Sequence, residues 1–214
     1  MYDMKELLII GARGYGREVY NWVMDCIPSG LEITVKGFLD DNASALSGFE
    51  NYPPIISSVE YYIPEENDVF LCALGDVKYR KIYSDMILAK GGTFISIIHP
   101  TASVSQNVHI GKGSIIGRFC AISCDVTIGD FSSISAHAVL GHDVCVGNYC
   151  HIGSLSNLSG GVILEDGVTI HPKSDVVPHK TIGAGATVGT GSVVLRNVKP
   201  GTTVFGVPAK TIGG

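Results

Sequence analysis

Of the 214 residues, the pair His142-Asp143 has the side chains that a proton transfer needs. A neutral imidazole can take a proton from a nucleophile near pH 7, which makes His142 a candidate general base. Adjacent residues on a strand point to opposite faces, so contact between His142 and Asp143 requires a corner in the chain. A second set of residues lies far upstream. The run Gly11-Ala12-Arg13-Gly14-Tyr15-Gly16 follows the apolar stretch Leu7–Ile10, and Asp40-Asp41 ends a later one. Backbone N–H groups where such a loop meets a helix can hold a phosphate. An acidic residue at the end of the second strand commonly meets a ribose hydroxyl. The loop reads GxxGxG and not the dinucleotide GxGxxG, so a tight turn without ligand, and a solvated turn for the two aspartates, remain alternatives.

The elements that position these groups are set by two different periodicities. From Val104 to Val194, every sixth residue is Ile, Leu or Val, sixteen positions without exception. Positions two before them are small or Val from Val108 to Cys150, and Lys180 interrupts the row. Glycine often follows the aliphatic residue, as at Gly111, Gly129, Gly141 and Gly153, which predicts corners with positive φ there. One six-residue unit cannot bury its side chain alone. Three make a triangular coil of eighteen residues, and about five stacked coils share one core. Residues eighteen apart then lie one above the other, which puts Gly160 over His142. Val139, Cys145 and Val162 are expected to project from the flat faces, where three-fold closure of three chains would cover them.

Upstream of this array, strands alternate with helices. Leu7–Ile10, Val35–Leu39, Asp68–Leu74 and Phe94–Ile98 read as strands, and the stretches 17–26 and 79–89 as helices. The expected architecture is a small Rossmann-like parallel sheet over residues 1–98, followed by an all-β parallel helix with a C-terminal tail over residues 99–214. Glycine is abundant, at 27 residues, as tight repeated turning requires. The net charge of −5, with no dense Lys/Arg stripe, points away from nucleic acid. No apolar run approaches the ~20 residues of a membrane span, and Met1 to Glu6 is mixed in charge, so a cytoplasmic protein without membrane partners is expected. The six cysteines form no CxxC pair and read as core or corner residues.

The two halves in this order, joined through Ile98-His99-Pro100-Thr101-Ala102, resemble the bacterial nucleotide-sugar N-acetyltransferases of the sialic-acid O-acetyltransferase-like family. The resemblance covers nearly the whole chain. It implies a left-handed coil, acetyl-CoA as acetyl donor, a nucleotide-linked amino sugar (a UDP-4-amino sugar) as acceptor and a homotrimer with sites at protomer boundaries. It implies His142 as base, with Asp143 raising its basicity. The eighteen-residue spacing separately offers the Gly160 N–H to an oxyanion, with another corner glycine, in a looser turn with Gly161, as the alternative. His151, Pro172 and Thr190 fall at cofactor-binding positions, the last two differing in type from the family. Gly14, Tyr15, Gly16, Asp40, Asp41 and Gly75 fall at nucleotide-binding positions. Tyr15 stands where the family carries His.

Two other chemistries use the same prism. An O-acetyltransferase acting on sialic acid or another sugar hydroxyl would share base and donor. A hydratase of the carbonic-anhydrase type resembles the chain in having two histidines five apart, as His137 and His142 are, with three imidazoles around zinc. The third is missing, because Thr101 stands thirty-six residues before His137, and no metal is expected. A catalytically silent nucleotide-sugar scaffold would leave His142-Asp143 without a purpose.

Overall fold

The computed structural model describes residues 4–213. The chain divides into two compact units, one ending at Ile97 and the other beginning at Ile98.

In the first unit, β1 (Lys5–Ile10), β2 (Ile33–Leu39), β3 (Ile55–Ser57), β4 (Asp68–Cys72) and β5 (Thr93–Phe94) form one parallel sheet in the order β3-β2-β1-β4-β5. The central strand β1 buries Leu7, Leu8, Ile9 and Ile10 almost completely, as a parallel strand covered on both faces must. Helix α1 (Gly14–Cys26) turns Val19, Trp22, Val23 and Cys26 inward at i, i+3, i+4, i+7 spacing. Helix α2 (Val77–Ala89) starts at Asp76, whose carboxylate accepts the N–H groups of Lys78 and Tyr79 at 2.9 and 3.2 Å.

Three departures from the sequence reading have local causes. Helix α1 begins three residues early, at Gly14, so the glycine run is partly its first turn. Gly16 permits this, because a Cβ there would stand 1.8 Å from the Gly11 carbonyl oxygen. The short strand β3 is too brief to show a period, and the expected last strand is broken into Thr93–Phe94 and Ile97–Ile98.

In the second unit the six-residue period becomes a parallel β-helix of two-residue strands. Its three sheets have six, five and eight strands, the eighth being an antiparallel C-terminal strand, Lys210–Gly213. The six-stranded sheet takes one strand from each coil, so six coils stack, one more than the period alone implied. Register is eighteen throughout: Ala121 pairs with Val139, Val139 with Asn157 and Asn157 with Asp175. The aliphatic row and the row two before it fill one narrow core. Serines in that second row are satisfied at the corners, as Ser132 donates to the Gly147 carbonyl at 2.8 Å and Ser174 to that of Gly189 at 2.9 Å. Val162 belongs to this core and is fully buried, whereas Val139 and Ile163 are 41% and 45% exposed. On the two faces that meet near residue 142, the residue immediately before the aliphatic one is the exposed one, as at Val139 and Ile163, so Val162 does not project as expected.

The corners also correct the reading of the glycines. Positive φ occurs three residues after the aliphatic one, at Asn107, Asp125, Asp143 and His179 on one edge and Phe119, His137, Leu155 and Lys173 on another, all between 56° and 61°. The glycine directly after the aliphatic residue serves close approach instead. A Cβ at Gly141 would lie 2.7 Å from the Gly160 nitrogen of the next coil, and one at Gly153 would lie 2.6 Å from that of Pro172.

Candidate active site

Two places collect the sequence-predicted residues, one in each unit. In the first, a crevice of about 620 Å³ opens at the carboxyl ends of the strands, lined by Ile10 and Gly11 at the end of β1 and by Ala73, Leu74 and Gly75 after β4. Here the connections to neighbouring strands leave in opposite directions, the switch point where ligands of open parallel sheets bind. Tyr15, Gly16, Asp40, Asp41 and Gly75 line it. Gly14 is exposed at the first position of α1 and outside the lining, while the preceding Arg13 is part of it.

The two aspartates differ. Asp40 accepts the Ala12 N–H on one oxygen at 2.8 Å and the Asn42 N–H on the other at 2.9 Å, so it ties the glycine turn to the end of β2. Asp41 accepts the hydroxyl of Tyr83 from α2. That bond, with burial adding to it, pushes the Tyr83 phenol up to about 12. Tyr83 stacks against Tyr79 one turn earlier, ring centroids 6.5 Å apart, and both line the crevice. The sequence reading missed Tyr79, Tyr83 and Asn42. An aromatic pair four apart, directly after Gly75-Asp76, was the available signal.

At the edge of the β-helix, the chain turns at His142-Asp143 between the strands Val139–Leu140 and Cys145–Val146. Asp143 takes φ 60°, which swings its side chain beside that of its neighbour, and His142 Nδ1 lies 2.6 Å from Asp143 Oδ2. An ionised carboxylate only accepts, so Nδ1 carries the proton and Nε2 is left with a lone pair. The imidazole lies over Gly160, where a Cβ would meet Nε2 at 2.5 Å. Along another edge, side chains eighteen residues on cap corner N–H groups: Asp130 caps Lys112 at 3.0 Å, Asn148 caps Asp130 at 2.9 Å and Asp166 caps Asn148 at 2.8 Å. At the His142 edge the corresponding residue above Gly160 is Pro178, which has no side-chain acceptor. The Gly160 N–H has no hydrogen-bond partner among the described residues.

His151 stands on the eight-stranded face, with Ser133 Oγ 2.7 Å from its Nδ1. Pro172 and Thr190, both exposed, are stacked at the corner where that face ends. In the triangular cross-section this face lies opposite the His142 vertex, so one chain does not bring His142 together with His151, Pro172 and Thr190. His137 also stays apart from His142, at the neighbouring corner, where its ring stacks on Phe119 at 4.9 Å. Thr101 has a structural task, accepting the Phe119 N–H at 3.0 Å and contacting His99 Nδ1 at 2.8 Å.

Among the described residues, three side chains with metal-ligand chemistry converge in one place, Glu6, Glu65 and Asp68. The Lys36 ammonium sits 3.3, 2.7 and 2.8 Å from them and fills the cation position itself. No helix among the described residues is long and apolar enough to cross a membrane.

Comparison with known proteins agrees with both halves. Residues 6–87 match the family described as the PglD N-terminal domain. A curated relative, UDP-N-acetylbacillosamine N-acetyltransferase of Bacillus subtilis (strain 168), is 30% identical over 117 residues, 53% of this chain and 51% of the relative. The UDP-3-O-acylglucosamine N-acyltransferase of Caulobacter sp. (strain K31) is 36% identical over 63 residues, 29% of this chain and 18% of that protein. The chain thus spans about half or less of the length of these curated relatives. Among solved structures, PerB from Caulobacter crescentus, in complex with CoA and GDP-perosamine, superposes with a TM-score of 0.88 at 30% identity, covering 97% of each chain. The acetyltransferase domain of PglB from Neisseria gonorrhoeae FA1090 gives 0.87 at 26% identity, over 97% of this chain and all of that one.

Proposed function

The chain belongs to the nucleotide-sugar N-acetyltransferases of the hexapeptide-repeat family, and on that premise we propose that it moves an acetyl group from acetyl-CoA to the amino group of a nucleotide-linked amino sugar. The observation that carries the reading is the His142-Asp143 pair, a proton-accepting Nε2 held at an exposed vertex against a residue without a side chain. Acetyl-CoA, when bound, supplies a thioester carbonyl for the sugar nitrogen to attack. His142 Nε2 takes the proton that the nitrogen must lose, Asp143 steadies the resulting imidazolium, and the same proton is available for the departing sulfur. The Gly160 N–H, with no partner among the described residues, is placed to donate to the oxygen on which charge develops. The crevice of the first unit holds the nucleotide, and binding energy gained there places the amine.

The base stands at the vertex opposite the face that bears His151, so the reading requires a second copy of the chain to bring that face to His142. We take the assembly to be a cytoplasmic homotrimer with three shared sites. Exposed Val139, Cys145 and Ile163 lie on the two faces that meet at the His142 vertex, where a neighbour would cover them.

The decisive test is the kinetics of His142→Ala with acetyl-CoA and nucleotide-linked amino sugars. The expected result is a kcat lowered by about a hundredfold or more with the KM for acetyl-CoA nearly unchanged, and a smaller loss for Asp143→Asn. Near wild-type kcat for His142→Ala would remove the base assignment.

A further inference from the structure

The hydrogen bonds already made inside the crevice determine what remains for a nucleobase. Both oxygens of Asp40 are occupied by backbone N–H groups. Asp41 has spent one oxygen on the Tyr83 hydroxyl, and its other oxygen has no hydrogen bond among the described residues. Asn42 accepts the Ser44 N–H on its side-chain oxygen at 3.0 Å, which leaves its amide NH₂ as the group still to be used. Tyr83 has donated its one hydroxyl proton, so it has only lone pairs left to offer. Asn42, Asp41 and Tyr83 all line the crevice, with the Tyr79-Tyr83 pair at hand as an aromatic surface.

We propose that this edge selects guanine, with Asn42 as donor, Asp41 as acceptor and Tyr83 as a second acceptor. The inference rests on the proposed nucleotide-sugar reading and names its nucleotide. Guanine presents O6, N1–H and the N2 amino group along one edge, an acceptor followed by two donors, which complements donor, acceptor, acceptor. Uracil presents a carbonyl, N3–H and a second carbonyl. Its second carbonyl would face the Tyr83 oxygen, and it could be satisfied only if Tyr83 gave up Asp41. Adenine and cytosine place a ring-nitrogen acceptor against the Asp41 carboxylate. A ligand that sets an acceptor against Asp41 or Tyr83 forgoes the hydrogen bond that group would make and is disfavoured by it. Tyr83 is therefore the specificity-determining residue between the two bases that carry a ring N–H. Nothing in the glycine loop separates them, because it faces phosphates common to all.

The test is calorimetric titration of the full-length protein with GDP, UDP, IDP and ADP. The expected order is GDP tightest, UDP and IDP each about tenfold weaker, and ADP weakest. IDP lacks only the 2-amino group, so it measures the Tyr83 acceptor with no mutation at all. In Tyr83→Phe, with thermal unfolding as the folding control, the preference of GDP over both IDP and UDP should fall to about threefold or less. UDP binding as tightly as GDP, or IDP matching GDP in the wild-type protein, would overturn the guanine assignment while leaving the nucleotide site in place. If no nucleoside diphosphate binds, the proposed function of the crevice falls together with it.

Discussion

At the scale of single residues, His142 was legible because an imidazole beside a carboxylate is a recognisable pair, and the corner supplied what the spacing could not. Asp143 reaches it only because φ is 60° there. Gly160 was placed correctly one coil above, but its service to His142 was not visible in the sequence. The missing side chain is the space the imidazole occupies, since a Cβ would meet Nε2 at 2.5 Å and Cε1 at 2.6 Å. This separates activity from stability. The intruding methyl would meet the movable end of an exposed side chain, and the φ of Gly160 is not positive, so Gly160→Ala should fold with a melting temperature close to wild type. Its kcat should fall by about a hundredfold as the base is displaced. Matched thermal unfolding and steady-state kinetics check this, and a variant with full kcat would show that the imidazole does not work from this position.

The elements show where sequence reasoning ran short. A strict period of six gave the β-helix, its core row and its eighteen-residue register, because every unit obeys the same geometry. Which corner position carries the left-handed backbone was misassigned, since glycine also serves close approach between coils, and ten non-glycine residues adopt positive φ at the true corners. In the sheet, β3 escaped notice for want of length. The ion cluster on β2 and β4 escaped because its members are distant in sequence. Asp68 is 5% exposed and accepts Lys36 at 2.8 Å, the Tyr62 hydroxyl at 2.7 Å and the Glu65 N–H at 2.7 Å. Burial alone would raise its carboxyl, but the Lys36 ammonium and the two donors outweigh burial and hold it below the ordinary value. A depressed folded value means that this stabilisation is complete above the unfolded value near 4 and is lost as pH falls through the folded one. Acid titration of unfolding should therefore show the wild type losing stability below about pH 4. Lys36→Met, which strands a buried carboxylate, should lose about 3 kcal/mol at neutral pH and much of its acid sensitivity. An unchanged acid profile in Lys36→Met would mean that the cluster does not support the sheet.

For the whole molecule, the division of labour we propose between the two units was argued from the sequence, while the proposal that copies share a site rests on the triangular cross-section. His142 occupies one vertex, and His151 with Pro172 and Thr190 occupies the opposite face and its edge, so the site we propose needs two copies of the chain. The most direct measurement is co-expression of two differently tagged inactive variants, His142→Ala and His151→Ala, with purification of trimers carrying both tags. A shared site regains an intact pair at one of the three boundaries of every trimer that carries both tags, so these trimers should show about a third of wild-type activity. Activity no greater than the sum of the two parents would contradict the account and return His142 and His151 to separate roles.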